Sequence, residues 1–377
     1  MKIAIIGRGL IGSAAARHLA LMGHDVHLIG PPEPSAKATH TGVFASHYDE
    51  GRITRSMATH PFWSKVAAAS IARYPQIEAA SGISFFTDCG AMMAGRSDGD
   101  LFSSAKRVCK DRNIPCRVLS GTDLTRQFPY FNFPSDHRAL YEPAQAGHIS
   151  PRRLVAAQTA AARQAGARIS DSIAERIEDI PGGIAILTPN QRLKADQVLV
   201  ATGGMTDHLL PTPMGLKVLA RTVVYFEISR TTAQTLGRMP SLVFEWDDRS
   251  DPYLLPPIRY PDGKIYIKLG GDPKDVPLTS PDQIGDWFRS DGDRQVRDYL
   301  TDMFRALMPN IDILSIHTAP CMTTYTSSGL PVIGRLSDHL SVATGGNGAG
   351  AKCSDDLGRL GAQAVLGNVQ PPLAPPL

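Results

Sequence analysis

The 377-residue sequence predicts an α/β fold in two parts, one built on a parallel sheet and a smaller α+β part built on a mainly antiparallel sheet. A short apolar run at residues 2–6 leads through a glycine-rich turn into a helical pattern, and a second glycine-rich junction follows the apolar run at 340–344. Between them, runs such as 222–228 and 264–269 alternate apolar and polar residues. Continuous apolar runs are typical of strands covered on both faces, whereas alternation is typical of antiparallel strands covered on one.

The first element is a strand over residues 2–6 that breaks at a G-x-G-x-x-G turn. The stretch that follows has apolar or small residues at helical spacing; we expect Gly23 to end this helix and a second strand to cover 26–29. A glycine turn between a strand and a helix lets the backbone approach a pyrophosphate and directs free N–H groups at the phosphates. In this context the turn predicts a dinucleotide site, with a tight packing turn as the alternative. Its candidate residues are Gly7, Gly9, Leu10, Ile11 and Gly12.

The composition limits the kinds of partner. A net charge of +3, without a long Lys/Arg run, argues against nucleic acid. No segment approaches the roughly 18 consecutive apolar residues that would span a bilayer. The N-terminal apolar run is too short for a signal peptide and is already used as a strand. The five cysteines are an odd number without paired metal-ligand spacing, so we expect a reduced, cytoplasmic protein with no metal site.

The end of the second strand does not distinguish NAD from FAD. In many proteins with this fold an acidic residue there binds the adenosine ribose, but here the strand ends at Gly30, followed by two prolines and Glu33. Glu33 is a candidate for the ribose contact from the loop, and an ordinary solvated carboxylate is the alternative. Because an acidic residue would repel a 2′-phosphate, Gly30 weakly favours NADP, so an NAD(P)-dependent dehydrogenase stays an alternative.

Two later segments favour FAD, which lies extended across a domain and needs contacts from distant parts of the chain. The apolar run at 197–200 stops at small residues that let the backbone pass beside a dinucleotide, namely Ala201, Thr202 and Gly203. The run at 340–344 is followed by a glycine-rich loop and a helical pattern from Ser354. Such a junction directs N–H groups at a flavin ring or an anionic substrate. Its candidate residues are Gly346, Asn347, Gly348, Gly350 and Lys352.

Together these segments resemble the FAD-dependent amine oxidoreductases related to D-amino-acid oxidase, and among them the monomeric sarcosine oxidase and N-methyltryptophan oxidase branch. The segment from Ser46 to Arg55 is similar to that branch's Ser-His followed by Arg-x-x-Arg. The resemblance implies that Ser46, His47 and Arg52 lie close to the flavin. It also implies that Arg55 binds the substrate carboxylate, for which a bidentate guanidinium is suited. Two arginines at this spacing are otherwise a solvated helix face.

Three more residues take roles from this resemblance. Lys268 matches a lysine over the flavin that promotes its reaction with O2, since a fixed cation stabilises the charge of superoxide; a solvent-facing lysine is the alternative. Cys321, in the segment 317–326, matches the cysteine that forms a thioether to the 8α-methyl of FAD, whereas a small buried thiol is the commoner role. Lys352 matches a second carboxylate-binding residue, which would hold an amino-acid carboxylate together with Arg55.

The sequence also departs from that branch. Thr323 stands where the family places a tyrosine, although Tyr325 follows two residues later. Asp272 replaces a histidine after the oxygen-reactive lysine, and Tyr48 replaces another histidine. Tyr253 corresponds only loosely to an active-site tyrosine. Because these changes surround the expected substrate, they argue against sarcosine itself. Asp272 would favour a substrate with an additional cationic group, with loop surface as the alternative.

The resemblance implies oxidation of the C–N bond of a secondary amino acid, N-alkyl or cyclic, to an imine, with O2 reduced to hydrogen peroxide. The alternatives are an FAD-dependent dehydrogenase with another electron acceptor, the NAD(P) enzyme, and a flavin-binding subunit with a decayed site. We expect a monomer or small homo-oligomer. A discontinuous Rossmann-type FAD-binding domain is expected over 1–82, 145–210 and 311–377, and the substrate domain over 83–144 and 211–310.

Overall fold

The computed structural model describes residues 1–246 and 251–368. In chain order its strands are β1 (Lys2–Ile6), β2 (Asp25–Ile29), β3 (Arg52–Thr54), β4 (Phe86–Asp88), β5 (Ala91–Arg96), β6 (Arg117–Leu119), β7 (His137–Glu142), β8 (Gly147–Ile149), β9 (Arg168–Ser170), β10 (Arg176–Ile180), β11 (Gly183–Thr188), β12 (Gln191–Ala195), β13 (Gln197–Val200), β14 (Lys217–Ile228), β15 (Ser241–Phe244), β16 (Tyr253–Arg259), β17 (Ile265–Gly270), β18 (Val276–Pro277), β19 (Ser315–Tyr325), β20 (Val332–Arg335) and β21 (Leu340–Thr344). The α-helices are α1 (Leu10–Leu21), α2 (Pro61–Ser81), α3 (Asp100–Asp111), α4 (Gly121–Gln127), α5 (Pro151–Gln164), α6 (Thr206–Leu209), α7 (Arg230–Leu236), α8 (Pro281–Arg289), α9 (Arg294–Leu307) and α10 (Gly350–Val365). Short 3₁₀ turns cover Lys37–Thr39 and Gly203–Met205.

The N-terminal strand lies inside a mainly parallel sheet with the order β20-β21-β13-β1-β2-β9. Along β1, Ile3 and Ile5 belong to a core shared with α1 and α10. The alternate residues Ala4 and Ile6 belong to a second core shared with β11 of the three-stranded sheet β10-β11-β12. The continuous apolar run is therefore explained by burial of both faces of the strand.

A second, larger sheet is mainly antiparallel, with the order β18-β14-β17-β16-β15-β5-β7-β6, and β19 pairs with β14. The alternation predicted over 222–228 lies within β14, and β17 begins and ends one residue later than predicted. Phe226 of β14 stacks on Phe304 of α9 with ring centroids 3.9 Å apart. The long helix thus covers one face of the sheet, which gives the strand its period of two.

These observations confirm the predicted α/β fold class, with a mainly parallel sheet and a larger, mainly antiparallel one. Two three-stranded sheets, β10-β11-β12 and β3-β8-β4, accompany them. One boundary was wrong: α10 begins at Gly350, not at Ser354, because the preceding loop turns sharply at Asn347, where φ is +45°. Lys352 therefore lies in the first turn of the helix. The domain boundaries stay a prediction, since strand pairing alone does not divide a chain into folding units. Within the described ranges, no helix combines the length and the apolar character needed to cross a membrane.

A buried ionic cluster joins four helices beside the parallel sheet. Asp355 of α10 accepts hydrogen bonds from Arg17 of α1 at 2.7 Å, Arg73 of α2 at 2.5 Å and Gln158 of α5 at 2.9 Å. Burial by itself would raise the pKa of Asp355, but the contact with His18 and the charges of Arg17 and Arg73 hold that pKa well below its usual range. The carboxylate is thus charged and fully paired, as a buried charge must be.

Candidate active site

A cavity of about 890 Å³ lies where the carboxyl ends of β1, β13 and β21 face the larger sheet. Ligands of open α/β sheets bind at this edge of the strands. Five stretches that are far apart in the sequence contribute to its wall, within 6–11, 43–59, 201–209, 321–325 and 344–352. The fold therefore brings together the segments that the sequence analysis had singled out.

Each glycine of the turn after β1 is needed for a different reason. A Cβ on Gly7 would meet the carbonyl oxygen of Ala201 at 2.3 Å, and one on Gly12 would meet that of Gly7 at 1.8 Å. A Cβ on Gly9 would meet nothing within 4 Å, and Gly9 begins α1 without a side-chain cap. Gly7 and Gly12 thus allow strand and helix to pack, whereas Gly9 leaves the helix N-terminus open to an anion such as a pyrophosphate. Gly12 itself does not line the cavity.

Two buried polar atoms in the cavity wall have no partner in the part of the chain that the structure describes, Nε of Arg55 and Oγ1 of Thr323. Buried polar groups are normally hydrogen-bonded, so two buried polar atoms without a partner in one cavity indicate that a ligand binds there. With the open helix N-terminus and the size of the cavity, these groups fit an FAD molecule with a small polar substrate. Most of the predicted cofactor residues line the cavity: Gly7, Gly9, Leu10, Ile11, Ser46, His47, Arg52, Ala201, Thr202, Gly203, Cys321, Gly346, Asn347, Gly348, Gly350 and Lys352.

Arg55 and Lys352 form a pair of neighbouring cations in the cavity wall. Neither makes an ion pair with a residue that the structure describes, and Lys352 is only 6% exposed. Burial, and then the charge of Arg55, lower the pKa of Lys352 to about 8, so the lysine is mostly protonated at neutral pH. The nearby carboxylate of Glu142 accepts hydrogen bonds from the backbone N–H groups of Ser56 and Met57 instead. Two like charges without a counter-ion make a site for an anion.

Cys321 lies beside Arg52, the first arginine of the predicted Arg-x-x-Arg segment. Its Sγ accepts a hydrogen bond from Nη2 of Arg52 at 3.1 Å, and the sulfur lies on β19 at the cavity wall. The same guanidinium pairs with Asp49 and donates to the carbonyl of Ser46 at 3.3 Å. Although burial alone would lower the pKa of Arg52, the sulfur and Asp49 raise it well above its usual value. A fixed cation therefore faces a cysteine inside the candidate flavin site.

Lys268 is fully buried but does not line the cavity. Its Nζ contacts Oδ2 of Asp49 at 2.6 Å and also donates to the carbonyl of Gly51. Burial and then Arg52 lower the pKa of Lys268 to about 8, while Asp49 opposes both. Burial would raise the pKa of Asp49, but Lys268 and Arg52 hold it below its usual range. Asp49 had no predicted role, although a lysine in a buried strand requires a counter-charge somewhere in the fold.

Glu33, which like Gly12 and Lys268 lies off the cavity wall, is engaged in an ion pair. Both of its carboxylate oxygens accept hydrogen bonds from Arg152, at 2.5 and 2.8 Å, and Arg152 also binds Glu50. Each carboxylate oxygen keeps a further acceptor position, and the ribose contact of Glu33 stays a prediction. His47 does line the cavity, and burial and then Arg152 lower its pKa to about 3, so the imidazole is neutral at physiological pH.

The residues at which the sequence departs from the sarcosine oxidase branch all line the cavity: Tyr48, Tyr253, Asp272, Thr323 and Tyr325. Asp272 follows β17 and is partly buried, and its Oδ2 accepts a hydrogen bond from the backbone N–H of Thr222 at 2.9 Å. Burial raises the pKa of Asp272 to about 6. Asp272 therefore lies in the wall of the candidate site.

Comparison with known proteins agrees with this geometry. The chain is 27% identical to monomeric sarcosine oxidase of Streptomyces avermitilis over 379 residues, which cover 97% of this chain and 93% of the relative. It is 26% identical to N-methyl-L-tryptophan oxidase of Yersinia pestis over 210 residues, 55% of each chain. Among solved structures it resembles NikD, an unusual amino acid oxidase essential for nikkomycin biosynthesis, with a TM-score of 0.76, 19% identity and coverage of 99% of this chain and 96% of that one.

L-proline dehydrogenase from P. horikoshii has a similar fold, with a TM-score of 0.76 and 17% identity over 99% of this chain and 95% of that one. The family model of FAD-dependent oxidoreductases matches residues 2–364, nearly the whole chain. The match runs from β1 to α10, the helix that carries Lys352. It therefore includes both glycine-rich segments that line the cavity. The predicted resemblance is confirmed: this protein is a sarcosine oxidase-like enzyme of the FAD-dependent oxidoreductase family.

Proposed function

We propose that this enzyme oxidises the C–N bond of a secondary amino acid, N-alkyl or cyclic, to an imine, with O2 reduced to hydrogen peroxide. The observation that carries the proposal is that Arg55 and Lys352, two neighbouring cations in the cavity wall, make no ion pair with a described residue. A planar guanidinium and an ammonium side by side suit a carboxylate, which the guanidinium binds in a bidentate manner. The relatives named as sarcosine and N-methyltryptophan oxidases support a secondary amine as the second recognised group.

The roles of the chain's own residues follow from their positions. Arg55 and Lys352 fix the substrate carboxylate, which restricts the carbon next to nitrogen to one orientation. Bound FAD would supply the two-electron redox chemistry, with that carbon as the hydride donor and O2 as the final electron acceptor. No residue is assigned as a general base, because a secondary amine can lose its proton before or during binding.

We also propose that Cys321 holds the flavin covalently through its 8α-methyl group. The sulfur lies in the cavity wall, and the guanidinium of Arg52 at 3.1 Å can stabilise negative charge on a reacting sulfur. The other thiols are less suited, since Cys353 is wholly buried and contacts the carbonyl of Trp63.

We also propose that Lys268 assists oxygen reduction, but indirectly, through its ion pair with Asp49, which in turn pairs with Arg52. Because the lysine lies behind the cavity wall, its charge acts on the cavity through Asp49 and Arg52. Of these three residues only Arg52 lines the cavity, so we assign to Arg52 the charge that faces O2 and to Lys268 and Asp49 the positioning of its guanidinium.

Two measurements test the proposal. Purified protein mixed anaerobically with N-methyl amino acids and proline should lose its flavin absorbance, and admission of air should restore it with formation of peroxide. If the reduced enzyme is reoxidised in air no faster than free flavin, an amino-acid dehydrogenase with another acceptor is the correct assignment. If none of these compounds reduces the flavin, the proposal is wrong.

The covalent link is tested by acid precipitation. The yellow colour should stay with the precipitated wild-type protein and pass to the supernatant for Cys321→Ala. Cys353→Ala is the matched control and should keep its colour, since its sulfur lies outside the cavity. Colour that is released from the wild type would contradict the link.

A further inference from the structure

We propose that the carboxylate of Asp272 binds a cationic nitrogen on the side chain of the substrate, so that the preferred substrate is a secondary amino acid with a second, positively charged amine. The inference rests on the proposed function and names its substrate class. It starts from the position of Asp272 on the cavity wall, where the carboxylate makes no ion pair with any residue in the described ranges.

The surroundings of Asp272 leave its charge available. One carboxylate oxygen accepts the N–H of Thr222 at 2.9 Å. The neighbouring cation, Arg221, is paired with Asp275 at 2.7 Å and stands over the ring of Tyr325 at 5.8 Å. Arg221 also lines the cavity and its charge acts on Asp272, but its ion pair is made with Asp275. The partial burial of Asp272 makes a cationic partner more valuable there than at the surface, because the interaction is less screened by solvent.

Asp272 is also separate from the carboxylate-binding pair. The main charges that act on Lys352 are those of Arg55, Cys353 and Glu142, and Glu142 and Cys353 also act on Arg55. The charges that act on Asp272 are those of Arg221 and Asp293. A reacting nitrogen lies one carbon from the bound carboxylate and stays near Arg55 and Lys352. Asp272 follows β17, whereas Arg55 follows β3 and Lys352 lies in α10, so we assign to Asp272 a nitrogen further along the side chain.

The preference should depend on pH. Burial raises the pKa of Asp272 to about 6; the N–H of Thr222 and the charge of Arg221 oppose the rise, and Asp293 adds to it. Tyr253 on β16 also faces this carboxylate. Asp272 is therefore mostly ionised at pH 7 and becomes neutral as the pH falls through about 6, so that its attraction for a cation is lost in acid.

The experiment compares Nα-methyl-lysine with N-methylnorleucine, in both enantiomeric forms. The two side chains have the same carbon chain, and only the lysine derivative ends in an ammonium group. Affinity is measured from the perturbation of the flavin absorbance, and kcat and KM from flavin reduction. The wild type should prefer the lysine derivative about tenfold, mainly through KM, as expected for a charge-assisted hydrogen bond. Asp272→Asn should bind both compounds equally.

Asp291→Asn is the matched control, because Asp291 is exposed, lies outside the cavity and loses the same charge. It should keep the wild-type preference. In the wild type the preference for Nα-methyl-lysine should decrease as the pH is lowered from about 7 to about 5, whereas in Asp272→Asn it should not depend on pH. If Asp272 had only a structural role, Asp272→Asn would instead bind both compounds more weakly.

Equal binding of the two compounds by the wild type, or an unchanged preference in Asp272→Asn, overturns the inference. If N-methylnorleucine is oxidised without any preference that depends on Asp272, the inference fails and the proposed function stands. If no secondary amino acid reduces the flavin, the proposed function fails and the inference falls with it.

Discussion

Replacing Lys352 by methionine tests the proposed carboxylate site most directly. Methionine keeps an unbranched side chain of similar length, so the change removes the charge with little change of volume. A hydrogen bond between charged groups contributes about 1.5–3 kcal/mol, and about 1.4 kcal/mol corresponds to a factor of ten. We therefore expect the affinity for a carboxylate to fall by roughly 10- to 150-fold. Because the mutation also removes a buried charge beside Arg55, the melting temperature should not fall.

The assay is the binding of a simple carboxylate such as propionate, followed by the flavin absorbance. Propionate has no amine, so the titration of a substrate nitrogen does not enter. Lys352 has a pKa of about 8 and binds an anion only when protonated. In the wild type, binding should be strong below about pH 8 and weaken above it, whereas in Lys352→Met it should be weak with no step near that pH.

Lys264→Met is the matched control, since Lys264 is exposed and paired with Glu227 at 2.7 Å. It should bind propionate as the wild type does. The reasoning is refuted if Lys352→Met retains wild-type affinity, or if its pH step persists, because the titrating group would then be another residue.

Two further predictions concern buried charges. Asp355→Asn should cost about 3–5 kcal/mol of unfolding free energy in urea titrations, since it leaves Arg17 without its counter-ion and leaves Arg73 with Asp356 alone. The exposed control Asp298→Asn should change this free energy by less than about 0.5 kcal/mol. Because the pKa of Asp355 is lowered in the folded state, its contribution is present above the usual carboxyl pKa of about 3.9 and is lost progressively below it. Asp49→Asn should destabilise the protein by about 3 kcal/mol, and adding Lys268→Met should recover part of this loss; an additive loss in urea denaturation would contradict the pairing.

Local spacing was sufficient for the glycine turn, the following helix and the alternating strands of the larger sheet. In these segments the periodicity of the chain coincides with the faces that are buried, so β1 and β14 could be assigned before any contact was known. The boundary of α10 was wrong because the turn at Asn347 depends on a backbone conformation that the residue pattern does not specify.

The sequence by itself determined the fold class, the FAD-dependent family and the set of segments that meet in the cavity, because strand and helix periods and glycine turns are local properties. Only the tertiary structure decided how the charges are paired. It joined Lys268 to Asp49, engaged Glu33 with Arg152, and left Arg55 without a counter-ion. The physical reason is that ion pairing depends on distances across the fold between residues that are remote in the chain, and sequence spacing does not contain those distances.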